Sequence, residues 1–140
     1  MPQHTRAAAA HFLIVVGACA SAAWTVQAQT AAMPAMQSQG AVRYACGGIG
    51  SDESSAMRAA MKQHPLSLLF ARPGGEYLAD VDVAIKQADG STVLAMRAAG
   101  PVCLVHLPAG KYRVEATSGG ARKSHMVTVG ATPATADFRF

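Results

Sequence analysis

Three kinds of side chain in this sequence could do chemistry: cysteine thiols, methionine thioethers with a histidine beside them, and paired carboxylates. Cysteines stand at positions 19, 46 and 103. Cys19 falls inside an apolar N-terminal run, so Cys46 and Cys103 are the two that a processed chain would keep. Such a pair reads as one disulfide in an oxidising compartment, or as two buried thiols. A metal held by these cysteines alone would lack the further Cys or His ligands that structural zinc sites use. Met57, Met61 and His64 fall near one face of a helical stretch, and a copper(I) carrier could use such a set. The competing reading makes Met57 and Met61 a core-facing pair and His64 a turn residue. Met33 and Met36 add thioethers in a stretch without periodicity, where they are weak ligands alone.

The carboxylates and nucleophiles assemble less well. Asp80 and Asp82 share one outward strand face at i, i+2, whereas glycosidase chemistry needs carboxylates opposed across a cleft, usually one lined by aromatics. Ser51 and Ser54 beside Asp52 fit the start of a helix, and no Gly-x-Ser-x-Gly elbow occurs. His106 and His125 both fall in strands, and a site made of the two would require neighbouring strands with both rings on one face. Gly47-Gly48-Ile49-Gly50 lacks the spacing and the Gly-Lys-Ser/Thr ending of phosphate loops. We expect no catalytic residues, no enzyme activity and no cofactor.

Compartment follows from the N-terminus. His4 and Arg6 precede an almost unbroken apolar run from Ala7 to Ala23, and Val26-Gln27-Ala28 supplies small residues at a cleavage site. The reading is a signal peptide over residues 1–28, cut after Ala28, with export to the periplasm. The apolar centre is short against the ~20 residues of a membrane span, and no transmembrane segment is expected in the mature chain. Val15-Val16-Gly17-Ala18-Cys19 also resembles a lipobox, which would leave a lipid-anchored envelope protein beginning at Cys19. Cleavage after Ala28 removes Arg6 and no acid, so the formal charge falls from +4 to +3. Lysines and arginines are scattered singly, which argues against nucleic acid as a partner.

The elements that must position these groups are mostly strands. Residues 29–41 lack periodicity and read as a flexible tail. Residues 42–64 form an N-terminal cap, with a helix over 51–63 capped by Ser51 or Asp52 and ended by His64-Pro65. Residues 65–140 then hold seven strands. One is the apolar run 66–71. Another spans 79–86, where Ala79, Val81, Val83 and Ile85 alternate with polar positions. Asp89-Gly90 marks a hairpin, and Ser118-Gly119-Gly120 a tight turn. In the strand 123–129, His125 shares a face with Val127 and Val129. The count and spacing suit an all-β, antiparallel Greek-key sandwich.

The stretch Leu107-Pro108-Ala109-Gly110-Lys111-Tyr112-Arg113-Val114-Glu115-Ala116, followed by Gly119-Gly120 and the next strand, resembles the carboxypeptidase regulatory-like domain, a transthyretin-like (prealbumin-like) sandwich. The resemblance covers about residues 65–140. It implies a structural corner made by Pro108, Gly110 and Tyr112, with the Tyr112 ring in the core and its hydroxyl bonded to backbone a few residues upstream. Domains of this family are mostly accessory, stabilising an enzyme, mediating contacts or binding surfaces. The cap with Cys46 resembles additions seen in small hypothetical exported proteins of proteobacteria. The functional expectation is a non-enzymatic exported module acting by contact with another envelope protein. Its alternatives are the copper(I) protein and the lipid-anchored protein, and the oligomeric state is left open.

Overall fold

The structure is a computed structural model that describes residues 32–140. The expected leader, its cut after Ala28 and Cys19 lie outside the described residues. Nine strands, one helix and a short 3-10 turn follow in order. They are β1 (Gln37–Gln39), β2 (Val42–Gly47), α1 (Ser51–Ala60), the 3-10 turn Met61–Gln63, β3 (Leu66–Ala71), β4 (Val81–Gln87), β5 (Thr92–Ala98), β6 (Val102–His106), β7 (Gly110–Ser118), β8 (Ala121–Val129) and β9 (Ala134–Arg139).

The strands make two sheets, ordered β1-β2-β6-β3-β9 and β5-β4-β7-β8. The seven strands read from the sequence are β3 to β9. The count is nine because β1 and β2 precede them, and both correct an expectation. The stretch read as a tail contains β1, which pairs antiparallel with β2. The stretch read as a cap contributes β2 to the sheet itself, paired to β6 from Arg43↔His106 to Gly47↔Val102. A second correction concerns direction, since β9 runs parallel to β3, from Leu66↔Ala134 to Ala71↔Arg139. The chain leaves β8 in one sheet, crosses to the other and enters beside the start of β3, where Ala134 N–H donates to Pro65 O at 3.0 Å.

Apolar residues form two layers. Between the sheets, Leu66, Leu68, Phe70, Cys103, Val105, Ala136 and Phe138 pack against Val81, Val83, Ile85, Leu94, Tyr112, Val114 and Ala116. On the outer face of the first sheet, α1 lays Met57 on Val102 and Leu104, with Ala60, Met61 and Leu69 around them. Met57 and the two β6 residues are at most 1% exposed, so this is a true second core. Alternation explains the split: successive β6 residues point to opposite faces, and both faces are covered.

Two turns depend on glycine. Gly119 (φ 54°) and Gly120 (φ 82°) form the two-residue link of the β7–β8 hairpin, a geometry with positive φ at both central positions. Gly100 lies flat against the backbone of Gly47, and a Cβ there would collide with the Gly47 carbonyl. The helix start differs from expectation. Its N-cap is Gly50, with no side-chain cap bond, while the Glu53 carboxylate reaches back to accept from Gly48 N–H at 2.7 Å. The helix therefore starts from Gly50, at φ 88°, without the Ser51 or Asp52 cap, and the Glu53 bond fixes the glycine turn that precedes it.

Replacing Gly100 by Ala is expected to cost about 2 kcal/mol, since the backbone of Gly47 must move. Gly74→Ala meets nothing within 4 Å and has an ordinary φ, so it should stay within about 0.5 kcal/mol of the parent. Urea unfolding of the two variants compares them directly.

Candidate functional site

Cys46 and Cys103 are joined by a disulfide that links β2 to β6 at directly opposed positions, with Cα atoms 4.1 Å apart. The bond closes a sequence separation of 57 residues, which in the chain-entropy account is worth about 4 kcal/mol. On the inner side, Cys46 Sγ lies 3.8 Å from Met96 Sδ of β5. A disulfide sulfur carries no hydrogen, so this is a sulfur–sulfur contact across the two sheets. Met96 was not among the sulfur residues singled out in the sequence, because it alternates like any inward strand residue.

The same side of the sandwich is closed by a side chain acting as backbone. The Gln39 amide accepts from Ala95 N–H at 2.7 Å and donates to Ala95 O at 3.1 Å. It thereby pairs the edge strand β5 of one sheet with the edge strand β1 of the other.

At the β6–β7 crossing, Tyr112 Oη donates to Pro108 O at 2.6 Å. The Tyr112 ring is buried in the inter-sheet core, and Gly110 opens β7 directly against it. A cleft of about 260 Å³ lies beside this corner, walled by Ala41, Val42, Val93, Pro108 and Tyr112.

The members of the expected copper set have different neighbours. Met57 and Met61 face the sheet beneath α1. His64 instead meets His106 edge to face, with ring centroids 4.7 Å apart, above a groove of about 230 Å³ that Lys62 and Pro133 also line. His64 Nδ1 is buried and, among the described residues, without a hydrogen-bond partner. Burial, and then the neighbouring His106, lower the His64 pKa from its ordinary value of 6.5. The pairing of His106 with His125 does not occur, because β6 and β8 lie in different sheets. Asp80 and Asp82 are not opposed across a cleft. Both are exposed and share the Arg97 guanidinium, at 3.7 and 3.2 Å.

The opposite side of the sandwich is open. Strand β8 pairs with β7 and ends its sheet, and its residues Ala121 to Met126 are all exposed. It carries Arg122 and Lys123 and no acid. Among the described residues neither cation makes an ion pair. His125 points to the inner side, as its phase with Val127 and Val129 implies, yet on this edge strand it is exposed. Its ring stands on Phe138 at 4.6 Å between centroids. Lys123 Nζ lies 6.0 Å from the Phe140 ring centroid. The result is a seam between the edges β8 and β9, floored by Phe138 and Phe140 and flanked by uncompensated positive charge. Asp137, the acid on β9, is held by its own Arg139 at 2.7 and 2.8 Å.

No family model matches the chain, and no curated protein is significantly similar to it.

Removing the buried hydroxyl in Tyr112→Phe should destabilise by about 1 kcal/mol, read as a lower denaturation midpoint. The histidine pair gives a pH dependence with a definite sign. The unfolded chain takes up a proton at His64 near its ordinary pKa of 6.5 while the folded chain resists it. Stability is therefore fully present above that pH and is lost as pH falls toward the lower folded pKa. Melting curves from pH 7.5 to 5 should show this drop, and His64→Gln should flatten it.

Proposed function

We propose that this chain is a non-enzymatic, exported β-sandwich that acts by protein–protein contact in the bacterial envelope, and that the contact is strand addition along the free edge of β8. The observation that carries the reading is the open seam: a nine-residue edge strand, exposed from Ala121 to Met126 and carrying Arg122 and Lys123, beside the half-buried Phe140 ring. Unpaired edges of this length template the addition of another strand. The partner's chemistry follows from charge. Among the described residues neither Arg122 nor Lys123 has an acidic partner, so the occupant is an extended segment alternating acidic and apolar residues. On an added strand the acids would share the outer face with Arg122, and the apolar side chains the inner face with Lys123, beside the half-buried Phe140.

Other parts of the reading have separate support. The Tyr112–Pro108 bond at a sheet-to-sheet crossing supports kinship with the transthyretin-like, carboxypeptidase regulatory-like sandwiches, whose Greek-key core would be β3 to β9 with β1, β2 and α1 added. Engagement of Asp80 and Asp82 by Arg97, and placement of Ser51 and Asp52 at the helix start, support a non-catalytic role. No helix among the described residues is long and apolar enough to cross a membrane, and a processed chain starting after Ala28, or at a lipidated Cys19, would carry this domain outside the cytoplasm.

A peptide titration followed by amide shifts tests the contact. A peptide alternating Val with Glu should shift the β8 amides, and its Lys counterpart should not. Arg122→Glu combined with Lys123→Glu should weaken binding about tenfold, which corresponds to about 1.4 kcal/mol. Absence of β8 shifts, equal binding of both peptides, or β8 shifts produced by raising protein concentration alone would each overturn the assignment.

A further inference from the structure

We propose that Cys46, Cys103 and Met96 form a copper(I) site once the disulfide between the two cysteines is reduced. The three sulfurs already converge. The cysteines are directly opposed on β2 and β6 with Cα atoms 4.1 Å apart, so both thiols stay on the same inner face after the bond opens. Met96 reaches Cys46 from the other sheet, with its Sδ 3.8 Å from Cys46 Sγ. A metal–sulfur bond of about 2.3 Å places the ligands of a three-coordinate ion about 4.0 Å apart, so the thioether already stands at ligand distance from Cys46 Sγ, and the two cysteine sulfurs move apart when their bond opens.

Donor chemistry selects the metal. Two thiolates and a thioether are soft ligands and favour copper(I). Zinc would need at least one further nitrogen, oxygen or thiolate donor. Among the described residues no third His, Cys, Asp or Glu joins the two cysteines in a metal-holding group. Access is from the side that Gln39 closes: Cys46 and Met96 are half-buried, while Cys103 is fully covered.

The chemistry balances with a dithiol as reductant. Its two sulfurs join in a new disulfide, and its two electrons and two protons convert the Cys46–Cys103 bond into two thiols. Copper(I) then forms one bond to each sulfur and releases both protons to solvent. Met96 adds a neutral third bond, and the copper stays in its +1 state throughout. This differs from the set suggested by sequence spacing, since Met57 and Met61 are committed to the core beneath α1.

Anaerobic titration of copper(I) against a competing chelator tests the site in the full chain, before and after reduction. The reduced protein should bind one equivalent and the oxidised protein none at this site. Met96→Leu should weaken binding at least tenfold, and X-ray absorption should lose one of three sulfur neighbours. Equal binding by oxidised and reduced protein, or an unchanged affinity in Met96→Leu, would overturn the proposal. Circular dichroism follows the fold at each step. Should reduction unfold the chain, copper(I) must restore the β signal in the parent and fail to do so in Met96→Leu, and any other pattern counts against the site.

Discussion

Strand β6 is hydrogen-bonded on both sides and buried on both faces, and the rest of the structure depends on that. Its neighbours are β2 and β3. Val102 and Leu104 face α1, while Cys103 and Val105 face the other sheet. A slip of one residue would exchange the two sets and spoil both layers at once. Two local devices hold the register: the link from Cys103 to Cys46 near the start of the strand, and the Tyr112–Pro108 bond just beyond its end. Through this strand the helix, the first sheet and the crossing to the second sheet become one mechanical unit.

The two sides of the sandwich are finished differently, and the functional reading follows from that asymmetry. Sheet edges expose unpaired backbone groups and invite further pairing. On one side the risk is removed: β1 is only three residues long, and its Gln39 amide satisfies Ala95 of β5. On the other side β8 is long and exposed, and no element among the described residues pairs with its outer edge. A surface kept in that state, with cations along it and the half-buried Phe140 ring beside it, is suited to receiving a strand. The closed side has the opposite character. There, sulfur atoms from both sheets meet in a half-buried position, which suits a small ion better than a protein.

Much of the fold was legible because it is local. β4 and β7 show clean two-residue alternation, since one face of each is buried and the other wet. The Gly119-Gly120 link is visible because few other residues tolerate positive φ twice in succession. β1 was not legible, because Gln-Ser-Gln has no apolar signal and is held by a side chain bonding to a strand more than fifty positions away. β2 was hidden as a strand because Ala45 and Gly47, on its outer side, are covered in the fold, which blurs the alternation. At the candidate sites the limit was sharper. The expected Met57–Met61–His64 grouping follows helical spacing correctly, yet the chain turns at Pro65 and sends His64 to His106, while the methionines stay under the helix.

The sequence by itself determined which residues beyond Pro65 form strands, which face of most of them is apolar, where the tight turns fall, and that two cysteines stand ready to join. These depend on near neighbours: φ preferences, alternation and the parity of a residue type. Only the tertiary structure decided which strands are adjacent, that β9 runs parallel to β3, which edge is sealed and which is open, and that Met96 lies against Cys46. Those outcomes rest on pairings between residues far apart in the chain, where many arrangements satisfy the same local pattern and two-sided burial of β6 selects among them.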